Sequence, residues 1–166
     1  MSKRLANSLA TALLLATAGI AATVPVHATG IAAAPEQDGI VKVVSAYPFD
    51  ETVARLRADI AAKGITFFML VEQSKLAAEA GIELRRQVLL VFGNPALGAQ
   101  FLTSNPVAGL DWPVRLLVGE DENGRVWAAY ADFMSIARRH QIADRDAAFD
   151  MASQVIASIT STVTVK

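Results

Sequence analysis

The dipeptide Asn123-Gly124 lies between two apolar runs, Pro113 to Glu120 and Arg125 to Ala131, and constrains the fold more than any other feature of the chain. Both residues tolerate positive φ, so the pair predicts a tight hairpin, and a hairpin is antiparallel by construction. The run ahead of it, Arg86 to Phe92, is not joined to it by the regular crossover helix that a parallel sheet needs. Two further runs rich in branched and aromatic residues, Ile40 to Val44 and Ile65 to Val71, read as strands. About five strands in an antiparallel sheet follow, and the predicted fold class is α+β.

Helical signals fill the intervals. Asp50 and Glu51 suit a helix entry, Val53, Leu56 and Ile60 form one apolar stripe, and Gly64 ends it. Ser74 to Gly81 reads as one or two turns closed by glycine. Asn94 is a good cap with Pro95 at the first helical position, and Leu97, Phe101 and Leu102 continue until Asn105-Pro106 breaks the pattern. Asp132 is placed to cap a short helix through Arg139. Asp144 is expected to open the last helix, whose Phe149, Ala152, Ile156, Ile159 and Val163 share one face. This long C-terminal helix is predicted to lie across the sheet, giving a β-α-β4-α order with short inserted helices.

The first 28 residues bear on where such a domain works. Lys3 and Arg4 precede a run from Leu5 to Val24 of apolar or small residues with a few Thr, Ser and Asn, and Val26-His27-Ala28 matches a signal-peptidase site. The run is 20 residues long and competes as a membrane anchor, since a bilayer core is roughly 30 Å thick. Pro25 and the Ala/Thr-rich composition favour a signal peptide over residues 1–28 cleaved near Ala28, followed by a short flexible tether over residues 29–38 and a single domain over residues 39–166. The expected location is periplasmic or secreted, with no membrane span after cleavage.

Cysteine is absent, so neither disulfides, thiol chemistry nor an N-terminal lipid anchor is available. Cleavage would leave 166 − 28 = 138 residues, enough for one core that must stabilise the domain alone. The mature charge would be 13 − 16 = −3, and no cationic run exceeds Arg85-Arg86 or Arg138-Arg139. Nucleic acid, which needs a basic face, is therefore excluded as an expected partner.

Several segments together resemble the DUF302 family of bacterial and archaeal domains. They are Phe49-Asp50-Glu51-Thr52-Val53 with Lys63-Gly64, Val91-Phe92-Gly93-Asn94-Pro95, Trp112-Pro113-Val114-Arg115, and Gly124-Arg125-Val126-Trp127 with Tyr130 and Asp132. The resemblance covers about residues 40 to 160. It implies a TBP-like fold, a curved antiparallel sheet carrying a long C-terminal helix, and it implies no activity, because the family is a domain of unknown function. Trp112 stands where the family commonly has Leu.

The candidate site residues admit two readings each. Gly93-Asn94-Pro95 is either an anion-binding helix N-terminus or an ordinary capped start. Arg86 or Arg115 would strengthen the first. His140, the one histidine after cleavage, has Asp132, Asp144 and Asp146 nearby in sequence for a hydrolase-type set, yet Arg138-Arg139-His140-Gln141 also reads as a solvated helix end. Asp132 is a carboxylate candidate or a cap, while Asp111 and Glu120-Asp121-Glu122 offer other carboxylates. Trp127 and Tyr130 lie three apart on one strand and must point to opposite faces. Phe67, Phe68, Met69, Phe92, Phe101, Trp127, Phe149 and Met151 either line an apolar space between sheet and helix or fill it. No metal site and no cofactor is expected, since one histidine without cysteine poorly matches zinc ligand sets. The leading expectation is an exported, non-catalytic domain whose ligand-binding residues include Gly93, Asn94, Pro95, Trp127 and Tyr130. Its partner would be a small molecule or another envelope protein, with a homodimer through an apolar edge as a third arrangement. The alternative is a small hydrolase-type enzyme using the anion site, His140 or Asp132.

Overall fold

The computed structural model describes residues 39–164, so the signal peptide and the tether lie outside the described residues. The element order is β1 (Ile40–Val44), α1 (Phe49–Ala62), β2 (Thr66–Val71), α2 (Gln73–Glu79), β3 (Gln87–Gly93), α3 (Pro95–Ser104), a short 3-10 helix (Pro106–Leu110), β4 (Val114–Glu120), β5 (Val126–Ala131), α4 (Phe133–Arg139) and α5 (Asp146–Ser161). The five strands form one sheet in the order β1-β5-β4-β3-β2, and all pairings are antiparallel. The α+β reading with a C-terminal helix holds.

Alternation along the strands divides the sheet into two unlike faces. Val41, Val88, Leu90, Phe92, Leu116, Val118, Ala128 and Tyr130 are buried and share a core with Leu56 and Ile60 of α1, Phe101 of α3, and Phe149, Ala152, Ile156 and Ile159 of α5. Each large apolar side chain taken out of water here contributes about 1.5–3 kcal/mol. Phe101 and Phe149 stack with ring centroids 4.3 Å apart, so they fill the layer between sheet and helices. A polar tie closes the first loop: the fully buried Thr52 hydroxyl donates to the Tyr47 carbonyl at 3.1 Å and meets Ser45 Oγ at 2.6 Å.

Three local expectations are corrected. Asp50 does not cap α1; Pro48 occupies that position without a side-chain cap, and Asp50 instead forms an ion pair with Arg86. Asp144 does not open α5, which starts at Asp146 after Arg145, because its carboxylate is taken by the Ser104 hydroxyl at 2.6 Å and by Arg145. The hairpin is where Asn123-Gly124 places it, but the turn is longer. Gly124 N–H donates to the Asp121 carbonyl at 3.0 Å, Asp121 N–H donates to the Arg125 carbonyl at 2.9 Å, and only Gly124, not Asn123, has positive φ. This is a turn followed by a glycine bulge, and Asp121 Oδ1 stabilises it by accepting from Asn123 and Arg125 N–H.

Candidate functional site

The face of the sheet away from the helices carries no covering layer among the described residues: the buried residues form one core, and α2 has no buried residue at all. The strand register assigns its occupants. One row across the sheet runs Lys42, Ala129, Leu117, Leu89, Val71. The neighbouring rows hold Val44, Trp127, Gly119 and Gln87 on one side, and Arg115, Val91 and Met69 on the other. Met69 is 54% exposed and Val44 59%, while Leu89, Val91, Leu117 and Trp127 are half-buried by one another.

Trp127 is held flat on this face. Its ring lies where a Cβ on Gly119 would come within 2.5 Å of it, and Lys42 Nζ sits 4.4 Å from its centroid. Only glycine at the neighbouring strand position leaves room for that indole. Tyr130 points the other way, into the core, as their spacing requires. Burial pushes the Tyr130 hydroxyl up, Thr160 pulls it back, and the charge of Asp132 adds to the rise.

One end of the sheet is organised around Trp112. A Cβ on Gly93 would lie 3.0 Å from its indole, one on Gly98 would lie 2.0 Å away, and Phe68 meets the ring edge-on at 6.1 Å. The bulky residue at this position thus selects two glycines and an exposed phenylalanine in the β2 bulge. Beside it, the Asn94 side chain accepts from Ala96 and Leu97 N–H at 3.0 and 3.2 Å, and Gly98 N–H donates to the Asn94 carbonyl. Pro95 has no N–H to offer.

Asp111, next in the chain to Trp112, gathers the charged groups at this end. Its carboxylate accepts from Arg115 at 3.0 Å, from Arg139 at 2.9 and 3.0 Å, and from His140 Nε2 at 2.7 Å. The Asp111 and His140 side chains are 8% and 6% exposed. Burial pushes the Asp111 carboxyl up, but the hydrogen bonds and charge of His140 and Arg139 outweigh it and hold the group below the usual carboxylate range. His140 is therefore not a solvated helix end, because Asp111, 29 positions earlier in the chain, folds over it. The Asn105 side chain also donates to the His140 carbonyl at 2.8 Å.

The remaining site residues are spread out. Asp132 caps α4, accepting from Ser135 N–H and Oγ at 2.9 Å, while the carboxylate bonded to the His140 ring is that of Asp111. Asp144 and Asp146 belong to the α5 entry. Phe92, Phe101 and Phe149 fill the interior, whereas Met69 and Trp127 lie on the open face, Phe68 is exposed in the β2 bulge beside Trp112, and Met151 is exposed on α5. No group of three or more His, Cys, Asp or Glu side chains among the described residues is arranged to hold a metal ion. Likewise, no described helix is long and apolar enough to cross a membrane. Sequence reasoning missed the open face, although the unbroken run Val88 to Phe92 is the pattern of a strand covered on both sides.

Comparison with known proteins agrees with this architecture. The model of the family described as "Domain of unknown function DUF302" matches residues 41–162, and the chain belongs to that family. The crystal structure of an uncharacterized conserved DUF302 protein from Bacillus stearothermophilus superimposes with a TM-score of 0.69 at 17% identity, covering 75% of this chain and 98% of that one, and so shares the fold. Over 126 residues, 76% of this chain, it is 34% identical to a fluoride-specific ion channel, FluC 1, of Brucella suis and to its namesake of Brucella abortus. The chain spans less than half of those relatives, 48% and 46% of their lengths.

Proposed function

We propose that this protein is an exported, non-catalytic binding domain whose open sheet face docks an envelope protein. The observation that carries the reading is an apolar face across five strands with no covering layer among the described residues. An apolar patch rimmed by polar residues such as Lys42, Gln87 and Arg115 is the pattern of an interaction site. Export rests on the leader sequence, Lys3-Arg4 followed by the apolar run and Val26-His27-Ala28. The interior supports a protein partner over a buried small molecule, since Phe92, Phe101 and Phe149 occupy the space a ligand would need.

The ion-channel relatives do not extend conduction to this chain. A channel requires membrane-crossing elements, and among the described residues no helix qualifies. The half of each relative that lies outside the match is where we place conduction, leaving the matched unit as a docking module.

The test is a photo-crosslinking amino acid at Leu117, and separately at the exposed Arg57 on α1, introduced into the full gene in its host. An adduct with an envelope protein or with itself from Leu117 but not from Arg57 supports the reading. No intermolecular adduct from Leu117, or recovery of protein that retains Met1, overturns it.

A further inference from the structure

We propose that the outer edge of β2, together with the groove between its end and α2, binds an extended apolar and basic peptide segment of another protein as an added strand. The site lies on the rim of the sheet rather than on its open face. The two rims differ in sequence. β1 carries Lys42 in the middle of its five residues, whereas β2 is Thr66-Phe67-Phe68-Met69-Leu70-Val71, with neither a charge nor a proline. Charges and prolines are the usual guards against strand addition, because an edge presents alternate N–H and C=O groups that no ladder satisfies. β2 pairs with β3 on one side and with no described strand on the other. Its bulge between Phe67 and Met69 is a partial guard, and it leaves Met69 to Val71 as the regular stretch.

That stretch runs into a groove of about 240 Å³ lined by Leu70, Val71, Glu72, Lys75, Leu76 and Glu79. Spacings of three and four residues put Glu72, Lys75, Leu76 and Glu79 on one side of α2 and its cap. α2 buries none of its residues, and Leu76, 54% exposed, lines the groove rather than the core. The helix is still fixed at its start: Ser74 Oγ accepts from Gln87 N–H at 3.3 Å and donates to the Gln87 carbonyl at 3.4 Å. An added strand of four residues spans roughly 13 Å, enough to follow Met69 to Val71 and set one side chain against Leu70, Val71 and Leu76. In strand addition the main-chain bonds supply affinity and such a side-chain groove supplies specificity.

Backbone chemistry and charge select the peptide. A helix has already used its own N–H and C=O groups, so only an extended segment satisfies the β2 edge. Glu72 is paired with Lys75 at 3.8 Å, while Glu79 has no cationic partner among the described residues, so the groove keeps one negative charge. A lysine or arginine beside the apolar anchor meets that charge. The ligand is therefore a strand-forming segment with apolar residues at alternate positions and a cation next to the one that enters the groove.

Panning a display library of short random peptides against the protein purified from a host carrying the full gene, then measuring the enriched peptide by fluorescence polarisation, reads the outcome. The expected enrichment is alternate apolar residues with a lysine or arginine. Methylating alternate backbone nitrogens of that peptide weakens binding about tenfold or more in the frame that faces β2 and leaves it unchanged in the other, because only one frame donates to the edge. Glu79→Lys weakens binding about tenfold, and replacing the peptide's cation by glutamate recovers it to within about threefold. Leu76→Asp, at an exposed position, leaves the melting transition unchanged and removes detectable binding. Glu122→Lys, exposed on the β4–β5 hairpin, is the control and changes nothing. No enriched peptide, or one indifferent to methylation in both frames or to Glu79→Lys, overturns the proposal. So does a peptide that blocks the crosslink from Leu117, since it occupies the open face; the docking reading of that face stands or falls on the crosslink alone.

Discussion

On β4, Leu116 is fully buried under the helices, while Leu117, one residue on, is half-buried on a face with no described cover. The two side chains have the same chemistry and the same strand; only the pleat separates them. On the helix side, packing decides what each position tolerates, because the core is filled by interdigitated aromatic and branched side chains. On the open side no described layer packs over the strands, so the stability of the isolated domain depends less on what stands there. The difference teaches that an apolar strand residue reports a contact without saying whether that contact is made within the chain or with another molecule.

Substitutions sharpen the comparison. Leu116→Ala is expected to have the largest effect, a loss of about 3 kcal/mol in urea unfolding, from lost transfer energy and a cavity the packed helices cannot close. A loss below 1 kcal/mol would show that the helix layer is loosely packed. Asp111→Asn comes next, at about 2 kcal/mol near neutral pH, because Arg139 and His140 lose the buried charge that satisfies them. Its pH dependence has a definite sign. The folded carboxyl titrates below its unfolded value, so its contribution is present above about pH 4 and is lost as pH falls through the folded value. The stability gap between parent and Asp111→Asn therefore narrows in acid; a gap that widens would refute the assignment. Gly98→Ala should follow with about 1–2 kcal/mol of destabilisation, against the usual gain of alanine over glycine in a helix, because its methyl would stand 2.0 Å from Trp112. Leu117→Ala is expected to be the smallest, below about 1 kcal/mol for the monomer, measured in the same unfolding series at low protein concentration.

Much of the scaffold was legible from local pattern. The strands, the Asn94 cap, the α5 stripe through Phe149, Ile156 and Ile159, and the opposite orientations of Trp127 and Tyr130 follow from periods of 2 and 3.6 and from cap chemistry. What escaped depends on partners distant in the chain. Asp50 reads as a cap until Arg86 competes for it, and Asp144 reads as a helix start until Ser104 and Arg145 take its oxygens. His140 reads as solvated because nothing near it in sequence announces Asp111. Trp112, which in family terms replaces a common Leu, shows its role only once Gly93 and Gly98 are brought beneath it. The open face was half legible: its apolar residues were visible, but a strand pattern that fits burial on both sides does not say what supplies the second cover.

The edge position of β1 has a consequence for how the chain is made. Ile40 pairs with Ala131, so among the described residues the first strand in chain order forms its ladder with the last. Until the ribosome has delivered β5, Ile40–Val44 waits without its neighbour, and the sheet cannot be completed in order of synthesis. Pairings this remote slow folding and prolong the lifetime of unprotected apolar segments. A chain built this way is suited to being kept unfolded until its final strand is available.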